Sequence, residues 1–426
     1  MQPATPSSAT LPRHRPGSPA SALANRAFRW IFIGTFSSNI GTWMQNFTLG
    51  ALADSLTGKA WFIGLVTFAQ LGPTLLLSPV AGVVADTFDR KRIMVTAALF
   101  QCCFSALLAI LALSDHPSEV ALVGLVFVID VAHALNAPAA QAVLPALVGR
   151  ADLAGAVSLS SAQMNTSRVI GPLLAGLLIG VDHPSAIFAV NAATYLFVIT
   201  AVVLVKFDSR PPPVHESPLE RFRGGIEAAK ADPIIARVLV TVSVYSLCSL
   251  IFIYQMPPFA RENLGGDSHT FTVAFSSFGL GAALGAISVG TILARRSRPA
   301  LTRIALVGFA VSLGVFSLQT RPTAAYVSVF VTGWFYFVVI TSLSTILQER
   351  VDDAHRGRVM GLWMLGWAGL VPLGSLVGGP IIDAVGLTWV FMFGAIVALG
   401  LAWYADLSFP EPDGPPIQPD TLMLEP

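Results

Sequence analysis

Twelve apolar stretches, each roughly 18 to 25 residues long, follow one another along this chain. They run at about 28–52, 60–84, 93–113, 118–138, 156–180, 185–206, 236–258, 270–293, 302–319, 323–347, 358–382 and 386–408. A single helix needs about 20 apolar residues to cross the roughly 30 Å hydrocarbon core of a bilayer. A water-soluble fold has no use for a dozen such segments. The chain therefore reads as an all-α membrane protein with 12 transmembrane helices, and its function has to be sought inside a helix bundle. Prolines and glycines such as Gly72-Pro73 interrupt several stretches. Membrane helices tolerate them because neighbouring helices and waters satisfy the freed backbone groups.

Composition agrees. Charged residues make up 12% of the chain and hydrophobic ones 54%, against about 25% charged in soluble domains. A formal net charge of +1 gives no reason to expect nucleic acid as a partner. Cys102, Cys103 and Cys248 fall inside apolar spans and read as small buried thiols, and the adjacent pair lacks the spacing of a zinc knuckle.

The basic residues fix the orientation. Of the 25 Lys and Arg, only Lys59, Arg261 and Arg321 fall in odd-numbered gaps, and only Arg168 falls deep inside a span rather than at its end. The rest crowd the N-terminal tail and the even-numbered gaps, which marks those as cytoplasmic. An even number of spans then places both termini in the cytoplasm. The first span is longer than a signal-peptide apolar region and shows no cleavage site, so it reads as a retained helix.

The longest polar gap divides the spans six and six. The expected layout is a disordered, Pro-rich cytoplasmic tail (1–25), a six-helix half (26–206), a cytoplasmic linker (207–235), a second half (236–409) and a disordered, Pro-rich cytoplasmic tail (410–426). The linker contains Pro211-Pro212-Pro213, and its Leu219 to Lys230 part suits either a short amphipathic helix or a solvated strand of chain. The halves echo one another. Gly171-Pro172 and Gly176 in the fifth span are matched by Pro372, Gly374, Gly378, Gly379 and Pro380 in the eleventh. Such a six-plus-six repeat is the layout of major facilitator transporters.

The loop Gly82 to Arg92 resembles the major facilitator signature between the second and third helices. Gly82, Asp86, Arg90, Lys91 and Arg92 match it, while Thr87 stands for the usual basic residue and Asp89 for the usual second glycine. That variant is similar to the branch of bacterial secretion transporters that includes the enterobactin exporters. Leu144-Pro145, Asp152-Leu153 and the run from Arg168 to Gly176 match the same branch. The resemblance implies alternating access, a bacterial inner-membrane location and a small-molecule substrate. By analogy, it also implies a central cavity lined by helices one, four, seven and ten. It implies that Gly171, Pro172 and Gly176 form the fifth-helix hinge of an exporter. The arginine that many proton-coupled exporters carry in the fourth helix is absent here.

Several residues carry candidate chemistry. Asp130 in the fourth span and Arg168 in the fifth sit about 18 Å into the membrane at 1.5 Å per residue, on helices joined by a short loop. They are expected to be neighbours, either as a fixed ion pair or as one that opens when a proton or substrate arrives, since an unpaired charge at the bilayer centre costs at least about 2.5–3.5 kcal/mol. His133, one turn after Asp130, suits a second proton site or a simple hydrogen bond. Polar-aromatic stripes lie at Asn39, Trp43 and Asn46; at Tyr245, Cys248, Phe252 and Gln255; and at Trp334, Phe337 and Thr341. They read either as the wall of a substrate cavity or as helix-packing glue. Asp86 with Arg90 suits a cytoplasmic gate latch or a topology signal.

No phosphate-binding loop, zinc-protease helix or serine elbow appears, so no enzyme, metal or cofactor is expected. The expected function is export of a small organic molecule, siderophore-like or drug-like, by a monomeric proton antiporter. The rivals are an importer and a non-transporting receptor on the same fold. Exchange with protons favours a neutral or weakly cationic substrate beside Asp130, because proton and substrate must then compete.

Overall fold

The computed structural model describes residues 15, 17–176, 183–207, 209, 218–352 and 355–405. Residues 1–14 and 16 of the expected tail 1–25, the expected tail 410–426 and the linker prolines lie outside them, while Pro19–Ala24 of the first tail form a short helix capped by Ser18, a correction to the expected disorder there. Sixteen α-helices follow: α1 (Pro19–Ala24), α2 (Arg26–Thr57), α3 (Ala60–Thr87), α4 (Arg90–Leu111), α5 (Glu119–Val148), α6 (Leu153–Leu174), α7 (Pro184–Leu204), α8 (Pro218–Ala231), α9 (Pro233–Val244), α10 (Met256–Glu262), α11 (Ser268–Gly290), α12 (Arg298–Ser317), α13 (Pro322–Arg350), α14 (Arg356–Met364), α15 (Leu370–Val385) and α16 (Leu387–Tyr404). There is no strand among the described residues.

Among the described residues, ten helical stretches are long and apolar enough to cross a membrane. The other two crossings are α2 and α6, whose runs of Asn, Gln, Ser and Thr lower their hydropathy. The two most polar membrane helices are thus the ones that carry Trp43 and Arg168. The apolar pattern predicts continuous helices for spans seven and eleven. Each instead contains a π-helical turn, at Tyr245–Ser249 after α9 and at Leu365–Gly369 between α14 and α15. π turns inside α-helices cluster at functional sites. The linker does form the short helix α8. Its Gly225 lets α14 approach so closely that a Cβ there would meet the Arg358 carbonyl at 3.0 Å.

Helix ends are held by short polar side chains. Asn25 accepts the N–H groups of Ala27 and Phe28 at the start of α2, and Ser118, Asp232 and Asp267 serve α5, α9 and α11. Such caps satisfy N–H groups that the helix leaves unpaired. Gly58, with φ of +62°, turns α2 into α3 in a conformation that a side chain would strain.

The packing is pseudo-symmetric. In the first half α3 packs on α5, α4 on α5 and α7, and α2 on α6 and α7. In the second, α11 packs on α13, α12 on α13 and α16, and α15 on the π turn after α9. Glycines make the matching approaches. A Cβ on Gly171 of α6 would sit 2.5 Å from the Trp43 Cβ on α2, and one on Gly374 of α15 would run into the Leu247 carbonyl. Five residues on in each case, Gly176 meets Thr272 of α11 and Gly379 meets Ala60 and Trp61 of α3, both across the halves. These contacts give the arrangement expected of the major facilitator fold. Outward faces carry exposed Leu99, Phe100, Leu107, Ile287, Val311 and Ile396, as hydrocarbon requires. Cys103 lies on such a face and is exposed, and Cys102 and Cys248 are half-buried, which corrects the expectation of three buried thiols.

Candidate functional site

The expected neighbours Asp130 and Arg168 are not paired in this structure: the described ion pairs do not include them. Sequence adjacency misled here. α5 packs mainly on α3 and α4, whereas α6 packs on α2 and reaches across to α11. Helices joined by a short loop need not share a long face in this topology.

Arg168 instead sits inside a box of aromatic rings. Its guanidinium carbon lies 4.9 Å from the Trp43 ring centroid, 5.5 Å from Phe337 and 5.8 Å from Trp367. Trp43 stands on α2, Phe337 on α13 and Trp367 in the second π turn, so both halves contribute. From the ends that carry the basic loops, these four residues lie about 17–26 Å along their helices at 1.5 Å per residue. Rings within about 6 Å of a cation attract it through their negative faces. The Arg168 Nε is buried without an acceptor among the described residues.

Asp130 is 9% exposed. His133 lies one turn on and is partly exposed. Tyr195 of α7 and Tyr254 lie within Coulombic range of Asp130, and Tyr254 is in range of Arg168 as well. Around them, α2 is tied into its own half by Tyr195 Oη with Thr42 Oγ1 (3.2 Å), by Asn191 Nδ2 donating to Gln45 Oε1 (2.9 Å) and by Gln163 Nε2 donating to Thr35 Oγ1 (2.9 Å). One polar face of α2 is thus packing glue. The other, with Asn39, Trp43 and Asn46, stays partly exposed on the Arg168 side.

The remaining stripes divide. Phe337 and Thr341 share a face of α13, and Phe337 reaches Arg168. Tyr245 is fully buried against Phe309 and Tyr336, with its hydroxyl unpartnered. Phe252 is also fully buried and packs edge-on against Phe278, Phe316 and Phe391. It belongs to the aromatic core of the second half, a correction to its place on the cavity wall. The cause is the π turn, which rotates the residues after it away from the α-helical stripe. Trp334 faces α11 in an apolar surface groove with Leu284, Ile287 and Phe335, so it too leaves the wall.

Gln255 joins a seam between the halves, at the end opposite the basic loops. Its Nε2 donates to the Ala60 carbonyl (3.1 Å). Arg261 Nε and Nη2 donate to the two Asp54 oxygens (3.1 and 2.8 Å), and Nη2 also donates to the Gly58 carbonyl. The hydrogen bond to Asp54 holds the Arg261 guanidinium above its ordinary pKa, against a smaller opposing effect of burial. Asp383 accepts the N–H groups of Ala60 (2.8 Å) and Trp61 (2.9 Å), capping α3 from α15. Phe47 stacks on Phe271 at 4.5 Å. Sequence reading missed this seam, because its partners are some 195 to 323 residues apart.

At the other end, the signature loop braces the first half. Asp89 caps α4 at the Arg92 N–H (2.9 Å) and accepts from the Ser209 hydroxyl. Those bonds, the Ser209 one first, hold its carboxyl below the ordinary range. Arg90 Nη1 donates to the Ala142 carbonyl on α5 (3.1 Å). Lys91 Nζ donates to the carbonyls of Val203 (3.1 Å) and Val205 (2.8 Å) at the end of α7. Gly82 has open space where a side chain would begin, with no heavy atom within 4 Å of an ideal Cβ position, and Asp86 is partly exposed. Above this loop, Ser158, Ser161 and Asn165 expose one face of α6 leading to Arg168, and Thr341, Ser344 and Gln348 form a comparable face on α13. No group of three His, Cys, Asp or Glu among the described residues could hold a metal.

Residues 17–422 match the family described as transmembrane secretion effector. The chain is 26% identical over 346 residues to a protein named enterobactin exporter EntS from Shigella boydii serotype 4 (strain Sb227), covering 79% of this chain and 80% of that one. A relative of the same name from Escherichia coli O139:H28 (strain E24377A / ETEC) matches at 26% over the same shares. Among solved structures, the nucleoside transporter NupG superposes with a TM-score of 0.70 at 14% identity, covering 89% of this chain and 98% of that one. A bacterial homologue of the lysosomal transporter Spinster, inward-facing and unoccupied, gives 0.70 at 14%, covering 89% and 96%.

Proposed function

The chain belongs to the transmembrane secretion effector family, a family of major facilitator transporters, and on that premise we propose that it exports a small organic molecule in exchange for protons. Export, and a siderophore-like or drug-like substrate, are supported by the relatives named enterobactin exporters. The observation that carries the coupling is the pair of mid-depth charges left unpaired, Asp130 buried and Arg168 in its aromatic box. A buried carboxylate without a fixed partner is free to take and lose a proton. A half-buried arginine without one is free to change partners.

On this reading the basic loops and both termini face the cytoplasm of a bacterial inner-membrane protein that works as a monomer. The Asp54–Arg261 and Asp383–Ala60 seam is the closed periplasmic gate, and the state is inward-facing. Residues 26–206 and 236–409 are the moving halves, and 207–235 is the linker. Asp130 is the proton site, with His133 its accessory. Asn39, Trp43, Asn46, Phe337 and Thr341 face the substrate, with Tyr245 behind them and Gln255 in the closed seam. Gly82, Asp86, Arg90, Lys91 and Arg92 serve the opposite gate, and Gly171, Pro172 and Gly176 the hinge on which the halves rock.

The experiment is transport in everted membrane vesicles with an imposed pH gradient, screened across siderophore-like and drug-like compounds. Accumulation of at least one compound that collapses when nigericin dissipates the gradient supports the reading. Accumulation only with the opposite gradient makes the protein an importer, and no gradient dependence for any accumulated compound removes proton coupling.

A further inference from the structure

We infer that Trp43, Phe337 and Trp367 form a binding site for a lipophilic monocation, that Arg168 is the protein's own occupant of that site, and that ionised Asp130 draws Arg168 out when the substrate enters. The inference rests on the proton-coupled export reading and narrows its substrate.

Three rings face one cation from three directions, at 4.9, 5.5 and 5.8 Å. Aromatic cages of this kind hold quaternary ammonium ligands. Arginine in a protein interior is ordinarily fixed by a bidentate carboxylate fork. Among the described residues Arg168 has no such partner, and its Nε has no acceptor. Among the described residues only ring faces hold it, and these attract any cation of suitable size. The box can therefore change occupants without leaving a hydrogen bond broken.

Asp130 gives Arg168 somewhere to go. By helix length from the basic end, Asp130 lies about 27 Å along α5 and Arg168 about 22 Å along α6, and Tyr254 is within Coulombic range of both. The groups that bear on Asp130 are few. His133 shares its helix, Tyr195 comes from α7 with Cys102 of α4 behind it, and Tyr254 comes from the second half. Between Arg29 and Asp54 on α2, and from Ala60 to Ala85 on α3, no side chain is titratable. Arg168 is the one full positive charge in this set.

Charge conservation sets the sign. With Asp130 ionised and bound to Arg168, a monocation in the box leaves one net positive charge in the cavity. With Asp130 protonated and Arg168 back in the box, the cavity again holds one. Proton and monocation thus replace each other at constant charge, as exchange requires. An anion at Arg168 behaves oppositely: it is repelled by ionised Asp130 and binds together with the proton. The polar faces of α6 and α13 supply the route from the basic end to the box.

The test is equilibrium binding of radiolabelled tetraphenylphosphonium to the full chain in nanodiscs, as a function of pH. Affinity should fall about tenfold per pH unit on acidification through the titration of Asp130, the slope for one proton displaced per cation. Trp367→Leu and Phe337→Leu should each weaken binding by about 2- to 30-fold, the range for one cation–π contact. Arg168→Gln removes the competitor and should bind the cation more tightly than the parent at acid pH. If that variant fails to fold, the pH slope of the parent and the two ring variants carry the test. Binding that does not respond to acidification, or that is lost in folded Arg168→Gln, overturns the inference. So does salicylate binding that strengthens on acidification and vanishes in Arg168→Gln. If tetraphenylphosphonium does not bind but another compound still moves protons through Asp130, the box falls and the exporter reading stands.

Discussion

Replacing Asp383 with alanine should open the seam opposite the basic loops. Lys59, the residue before α3, provides no side-chain cap of its own. The first turn of α3 is capped from the other half, by Asp383 accepting from Ala60 and Trp61. Losing an N-cap costs about 0.5–2 kcal/mol, and removing a carboxylate from a helix N-terminus costs about 0.3–1 kcal/mol more. Both interactions cross the halves, so both are lost when the seam parts. Asp383→Ala should therefore shift the balance toward the opposite state by about 1–3 kcal/mol, roughly 5- to 140-fold at 1.4 kcal/mol per decade. Asp383→Asn keeps an acceptor and should shift it less. The assay is electron–electron resonance between spin labels at Ser55→Cys on α2 and His269→Cys on α11, two exposed positions on opposite halves, in a background lacking Cys102, Cys103 and Cys248. A longer distance should gain population in the order parent, Asp383→Asn, Asp383→Ala. Identical distributions in all three would show that the cap does not set the balance.

Two further expectations follow from the packing and the loops. Gly374→Ala should destabilise the protein by about 1–3 kcal/mol through overpacking, because its methyl meets the Leu247 backbone; Gly82→Ala, with open space around it, should leave the detergent melting temperature unchanged or raised. Asp89→Asn should flatten the acid limb of a stability-versus-pH profile. The Asp89 carboxyl is depressed in the folded protein, so its contribution is complete above the unfolded carboxylate value near 3.9 and disappears as pH falls through the lower folded value; an unchanged acid limb would refute this.

Segment length and hydropathy made the bundle legible, because a bilayer imposes one length on every crossing. The glycine echo at Gly171/Gly176 and Gly374/Gly379 was legible as repetition, and the structure shows what it does: each pair lets one helix touch its own half and then the other. The charge pair was half legible. Asp130 and Arg168 stood out as rare charges within spans, but their separation followed from which helices share faces, which no local pattern encodes. Trp367, the third wall of the box, was missed because it lies in a π turn, off any 3.6-residue stripe. The same irregularity misplaced Phe252. Asp54, Arg261 and Asp383 stood at the ends of spans, where charges are ordinary, so only the fold revealed them as one seam.

The most direct test of the account measures proton movement in proteoliposomes. The full chain is reconstituted with a pH-sensitive dye inside, and a compound found to be transported is added outside with no other gradient imposed. Entry of the compound should drive protons outward in the parent protein. Asp130→Asn, which cannot ionise, should move no protons when the compound is added. Transport by the parent without proton movement, or proton movement that survives in Asp130→Asn, contradicts the account.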